Sequence, residues 1–230
     1  MCGRYSLFME RAGLEARFGV EFPDHQPRYN CAPGQELPVI TPDSGQTTRM
    51  SWGFTPSWAD ERFDLINARS ETVTEKRSFA DAFSRRRCLV PADGFYEWTD
   101  TESGSQPYRV ALEDDRPFAM AGIHEQWIPE TTQTGLGAFT GDSGDANDDA
   151  AIDTYAVLTT DPNEPVEQLH HRMAVILEPE DEETWLHGSD EEALELLAPR
   201  PGDDMKTYPI STRVNSPAND EPSLIDPIES

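Results

Sequence analysis

The chain has 230 residues, with 18 basic against 44 acidic side chains, a formal charge of −26 and a pI near 4.3. An apolar fraction of 36% with five Trp and ten Phe is enough to fill a core and excludes wholesale disorder. No run approaches the roughly 18 consecutive apolar residues of a membrane span, and MCGRYSLFMER lacks the apolar stretch of a signal peptide, so the expected compartment is the cytoplasm.

In chain order, Leu7, Leu14 and Phe18 have helix-like spacing over 7–18, and Gly19 stands where that helix should stop. The next helix is expected over 74–86, capped by Thr74, with Phe79 and Phe83 on one face. Cys88-Leu89-Val90 then reads as a strand ended by Pro91. Segments 94–98, 107–112, 117–127 and 153–160 are rich in aromatic and β-branched residues and separated by turn formers, which predicts a sheet-dominated body. Residues 135–152, rich in Gly, Ala and Asp without a usable period, read as a flexible insertion between two strands. A helix around 180–187 is followed by a second, opened by a Ser189-x-x-Glu192 capping box. Residues 205–212 return to strand character, and 217–230, with its prolines and carboxylates, reads as a surface tail. Neither an internal repeat nor a clean domain boundary is visible.

The charge is unusual in kind. Lysine occurs only at 76 and 206, and sixteen arginines supply the other cations. Acidic excess with lysine depletion suggests a cytoplasm of molar salt, where a Debye length of ~3 Å mutes self-repulsion. The charge is also uneven: residues 1–100 hold 12 Lys/Arg and 15 Asp/Glu, whereas 101–230 hold 6 and 29. A polyanionic partner is therefore compatible with the first part, where Arg4, Arg69 and Arg85 to Arg87 are available. The Arg85 to Arg87 run reads more simply as a solvated helix end.

Walker, G-x-G-x-x-G, G-x-S-x-G and H-E-x-x-H motifs are absent. Three cysteines, at 2, 31 and 88, are too few and too dispersed for a disulfide framework or a metal clip. Of five histidines only His170 and His171 are adjacent, and neighbours in a strand point to opposite faces, so zinc is not expected. Cys2 is more suggestive. Removal of Met1 would make it the first residue, with an amine of pKa near ~8 and a thiol near ~8.5 on one two-carbon unit. Such a pair condenses with an aldehyde to an imine, which the thiol closes to a thiazolidine ring. Three segments supply polar company: Asn67 and Arg69 on one side of an extended chain, Glu97 in an aromatic strand where burial would raise its pKa, and His170 with Arg172 ahead of an apolar strand.

The stretches Met-Cys-Gly-Arg-Tyr at 1–5, Tyr-Asn-Cys-Ala-Pro-Gly at 29–34, Met-Ser-Trp-Gly-Phe at 50–54 with Pro56 and Trp58, Ile-Asn-Ala-Arg-Ser-Glu-Thr at 66–72, Arg87 through Trp98, and Val214-Asn215-Ser216-Pro217 run along nearly the whole chain. Together they resemble the SOS-response-associated peptidase (SRAP) family of DNA–protein crosslinking proteins. His-x-Arg-Met at 170–173 fits too, although Ala174 stands where the family usually has proline. The resemblance implies one α+β domain over 1–230, with twisted, mostly antiparallel sheets forming a barrel-like body and a few flanking helices. It implies a groove for single-stranded DNA and a thiazolidine crosslink between Cys2 and the ring-opened sugar of an abasic site. By motif position, Asn67 would orient the terminal residue, Glu97 would shuttle protons, and His170 would assist imine formation and β-elimination. Arg4, Arg69 and Arg172 would contact phosphates, Trp98 and Pro33 would pack on sugar or base, and Thr159 joins the DNA contacts. No cofactor or metal is implied. The expected partner is abasic single-stranded DNA, with the replication machinery as a further candidate, no membrane, and a monomeric protein. Two other readings stay open: a Cys2-dependent peptidase or autopeptidase with His170 as base, and a non-covalent reader of modified DNA.

Overall fold

Leu7 belongs to a strand, and the first helix begins after it. In the computed structural model, which describes residues 2–102, 104–129 and 151–228, β1 (Tyr5–Leu7) precedes α1 (Arg11–Phe18). Leu7 shares the helix's apolar spacing only by coincidence, because it is buried between neighbouring strands. The helix does stop at Gly19, which takes a φ of 70° and donates its N–H to Glu15 O. Short strands follow that the sequence did not announce: β2 (Arg28–Cys31), β3 (Glu36–Val39), β4 (Thr48–Trp52) and β5 (Asn67–Arg69). The helix expected over 74–86 is reduced to α2 (Ala80–Arg85), without a cap from Thr74. Its Phe79 and Phe83 are joined by a backbone hydrogen bond, and Phe79 packs on Phe54.

β6 (Arg87–Ala92) runs through Pro91 instead of ending there. Proline is tolerated because β6 pairs along its length with one neighbour only, β9 (Phe118–Trp127), so the missing N–H interrupts no second ladder. β7 (Gly94–Thr101) and β8 (Gly104–Leu112) form a hairpin. β10 (Ile152–Thr160) opens at the only described end of the expected insertion; residues 135–150 lie outside the described residues. Then come α3 (Glu164–Glu167), β11 (Met173–Ala174), β12 (Ile176–Leu177), α4 (Glu182–His187), α5 (Asp190–Glu195) and β13 (Met205–Pro209). Both hydrogen bonds of the Ser189–Glu192 capping box are present.

The strands form two sheets, mostly antiparallel. One has the order β13-β8-β7-β1-β2, and the other β12-β9-β10-β4-β3, with β6 on β9 and β5 and β11 on β10. The parallel pairs are β10 with β4 and β10 with β5. Beyond β3, Ile40 exchanges two backbone hydrogen bonds with Leu89 of β6, of 3.0 and 2.8 Å. This bridge carries the path β6-β9-β10-β4-β3 back toward its start and gives the second sheet its barrel-like curl. One apolar core joins both sheets, with Tyr5, Trp52 and Tyr155 at its centre; the two tyrosine hydroxyls are 2.9 Å apart and Trp52 stacks on Tyr155.

The tail lies along the surface on two anchors. Leu224 is fully buried in a second cluster with Tyr96, Ile210 and Val214, so two apolar anchors hold the otherwise mostly exposed residues 211–228 against the body. No helix among the described residues is long and apolar enough to cross a membrane.

Candidate nucleic-acid interface and reactive centre

The site is assembled where β1 runs beside β7. Tyr5 pairs with Phe95 and Ser6 with Gly94, and the Tyr96 N–H donates to Arg4 O at 2.9 Å. Continuing this antiparallel register brings Cys2 and Gly3 alongside Glu97 and Trp98. β5 supplies the opposite side, where Asn67 Nδ2 donates to Cys2 O at 2.9 Å. The anchor below β1 is Asp93, fully buried, which accepts from Ser6 Oγ at 2.6 Å and from the N–H groups of Phe8 and Met9. Asp93 fixes the strand that carries Cys2 and Arg4.

Cys2 has no exposed surface, and burial, reinforced by the nearby Glu97 carboxylate, pushes its thiol well above the ordinary range. Glu97 is also buried, and desolvation raises its carboxyl to about 7. A carboxyl of that pKa is divided between acid and base forms at neutral pH, which suits proton transfer in either direction. His170 is half-buried with its pKa lowered, chiefly by burial, so the ring is predominantly neutral at pH 7. Nδ1 lies 3.0 Å from the Arg172 N–H and 3.2 Å from the Arg172 carbonyl oxygen, so the backbone of Arg172 holds this nitrogen as acceptor in one tautomer and as donor in the other.

The histidine pair corrects the sequence reading. His170 and His171 lie between α3 and β11, outside any strand, and their rings stack with centroids 4.3 Å apart. Arg172, expected as a phosphate contact, is held by partners within the protein. Its guanidinium is buried, makes two hydrogen bonds to the Glu71 carboxylate, and donates to Thr159 O at 2.6 Å. Held in this way, Arg172 braces β10 against the turn after β5. Thr159 is buried as well, with its hydroxyl 3.5 Å from Ala68 O, so it lies beneath the groove and not on its surface. Arg87 is likewise not part of a solvated helix end. It opens β6 and is buried against the carbonyls of Phe83 and Trp185.

The remaining expected contacts line adjoining depressions. Trp98 and His170, with Pro162, Leu169 and His171, bound a groove of about 610 Å³. Arg69, exposed, shares a depression of about 380 Å³ with Glu71, Asp161, His171 and Arg172. Pro33 and the following Gly34, at φ 81°, line a third of about 390 Å³ with Trp52, Arg62 and Ile66. Arg4 is half-buried and donates through Nη1 to Asn30 Oδ1 at 2.8 Å and Val214 O at 2.7 Å. His171, shared by two depressions, and Asn30, which holds Arg4, were not singled out as site residues in the sequence. Neither carries a local signal, since each acquires its place from residues distant along the chain. A further cavity of about 270 Å³, lined by His25, Arg28 and Cys31, holds none of the expected site residues. No cluster of three or more His, Cys, Asp or Glu suited to a metal occurs among the described residues.

The site thus joins a two-sheet α+β body, a buried Cys2, a buried carboxyl at Glu97 and His170 to a groove lined by Trp98 and a neighbouring depression lined by Arg69. The family follows from comparison. The model of the family described as SOS response associated peptidase (SRAP) matches residues 1–217, and the chain belongs to that family. It is 37% identical over 240 residues to the Abasic site processing protein YoqW of Bacillus subtilis (strain 168), covering 98% of this chain and 99% of that one. It is 32% identical to the Abasic site processing protein HMCES of Gallus gallus, covering 89% of this chain and 67% of that one. A crystal structure of a protein from Bacteroides thetaiotaomicron superposes with a TM-score of 0.83 at 27% identity, covering 99% of this chain and all of the other.

Proposed function

We propose that this protein captures abasic sites in single-stranded DNA through a covalent bond to Cys2, shielding the lesion. The family membership and the relatives named abasic site processing proteins support the substrate. The observation that carries the chemistry is the hydrogen bond from Asn67 to the Cys2 carbonyl, with Glu97 on the neighbouring strand. After removal of Met1, the Cys2 amine adds to the aldehyde carbon of the ring-opened sugar, and loss of water gives the imine. The thiol sulfur then bonds to that carbon while its proton passes to the imine nitrogen, closing the thiazolidine with one water released overall. Glu97 relays protons in ring opening and closure, and His170 serves the imine steps. Arg69 supplies a phosphate contact and Trp98 and Pro33 supply packing, in keeping with single-strand binding by stacking of ~1–3 kcal/mol per base. Lyase-type β-elimination is a branch of the same imine.

A thiolate-dependent peptidase is less well supported, because burial favours the neutral Cys2 thiol. A purely non-covalent reader would need the groove but no free amine at Cys2. The test is intact-mass analysis after incubation with single-stranded abasic DNA. Wild-type protein gains the oligonucleotide mass less one water, and Cys2→Ala gains nothing. Equal crosslinking by Cys2→Ala would overturn the mechanism.

A further inference from the structure

The segment after β13 returns across the molecule and takes hold of Arg4 and of the groove residue Trp98. Val214, in the 3-10 turn Thr212–Asn215, is fully buried against Tyr96, and its carbonyl accepts from Arg4 Nη1. Asn215 Oδ1 accepts from the indole N–H of Trp98 at 2.8 Å. The segment is itself pinned by Asn30, which is fully buried. Asn30 Nδ2 donates to the carbonyls of Val214, Ser216 and Asn219 at 3.2, 3.0 and 2.7 Å, while its Oδ1 accepts from Arg4. Asp220 closes the arrangement, accepting from Arg28 and from the N–H groups of Tyr29 at 2.6 Å and Asn30 at 3.1 Å.

We infer that residues 211–220 form a strap whose task is to position the groove, and that Asn215 is the positioning residue for Trp98. An indole on a half-exposed strand position can turn about two side-chain bonds, and only a fixed ring offers a face for a base to stack on. Asn215 holds the polar edge of the ring on the strap side. That restraint leaves the rest of the indole to line the groove beside His170 and Pro162. The strap can exert it because its own backbone is tied at four carbonyl or carboxylate positions to β2 and Arg4. Pre-organisation of this kind lowers the entropy lost on binding without adding a contact to DNA.

The inference rests on the stacking role of Trp98 proposed above, and the experiment separates the two. Crosslinking rate is measured against concentration of a single-stranded abasic oligonucleotide for wild type, Trp98→Ala, Asn215→Ala and Asn215→Asp. Asn215→Ala is expected to raise the half-saturating concentration about fivefold, a share of the base–aromatic stacking effect, with the maximal rate falling by less than about twofold. Asn215→Asp keeps an acceptor for the indole N–H, so in ~1 M salt, where its added charge is screened, it should return to within about twofold of wild type. Trp98→Ala should be at least as impaired as Asn215→Ala. If Trp98→Ala is impaired and Asn215→Ala is not, or if Asn215→Asp fails to recover, Asn215 does not position the ring. If Trp98→Ala binds as wild type does, the stacking role falls and the inference with it.

Discussion

Glu97 has a carboxyl raised to about 7 by burial, and the sign of that shift governs two measurable properties. For activity, the carboxyl is protonated below pH 7 and ionised above it, so the crosslinking rate of the wild type should show an inflection near that value. Glu97→Gln should lose the inflection and slow the reaction by about 10²-fold, the usual worth of a positioned acid or base. For stability, the folded protein holds this proton more tightly than the unfolded chain, whose glutamate titrates near 4.5. The penalty of ionising a buried carboxyl is absent at low pH and grows as pH climbs from about 4.5 through 7. Glu97→Gln should therefore raise the melting temperature relative to wild type at pH 8 and leave it little changed at pH 4. Sequence alone anticipated this carboxyl because an acid amid Phe95, Tyr96 and Trp98 has few ways to stay solvated. The same reasoning singled out Arg172 but not its pairing with Glu71, which lies 101 positions away, and no local pattern announces such a pair.

Among the elements, β1 depends on the turn between β6 and β7, where Asp93 gathers Ser6, Phe8 and Met9. Asp93→Ala would leave these three donors without their buried acceptor, while Arg109 keeps its bonds to the residue 93 carbonyl and to Asp115, and equilibrium unfolding in denaturant should register a loss of about 3–5 kcal/mol. Crosslinking should fail in parallel as the strand bearing Cys2 loosens. The long strands were legible because β7, β9 and β10 carry enough aromatic and β-branched residues to show themselves. β2, β3, β4 and β5 run only three to five residues each and are held by partners far along the chain, so their composition announces little. Helix 74–86 was overestimated for the converse reason, since apolar spacing at Phe79 and Phe83 persists through turns that are not helix. In the tail, prolines and carboxylates dominate the composition, so the two anchors that dock it, Val214 and Leu224, do not stand out in the sequence.

For the whole molecule, a charge of −26 has to coexist with an anionic ligand. The conflict is eased by distribution, since Arg4, Asn67, Arg69, Glu97 and Trp98 all fall in the first hundred residues, where acids barely outnumber bases. Of the arginines beside the site, Arg4 and Arg69 are the two proposed for phosphate. Two contacts to a single strand give a slope of about −1.4 for log affinity against log salt, far shallower than that of a basic DNA-binding protein. Titration of non-abasic single strands between 0.1 and 2 M salt checks this value. A steep slope would mean that other cations take part.

The curl of the larger sheet is joined at Ile40 and Leu89 by a single bridge, whereas the β9–β10 and β6–β9 seams each run over six paired residues. Such a seam has no neighbouring rungs to share the load, so it should part before the rest of the ladder when the protein breathes. In deuterated buffer the amides of Ile40 and Leu89 should therefore exchange ahead of those in the β9–β10 ladder, although both residues are nearly inaccessible to solvent. The wall of the body thus has a built-in line of opening, placed by the shortness of β3.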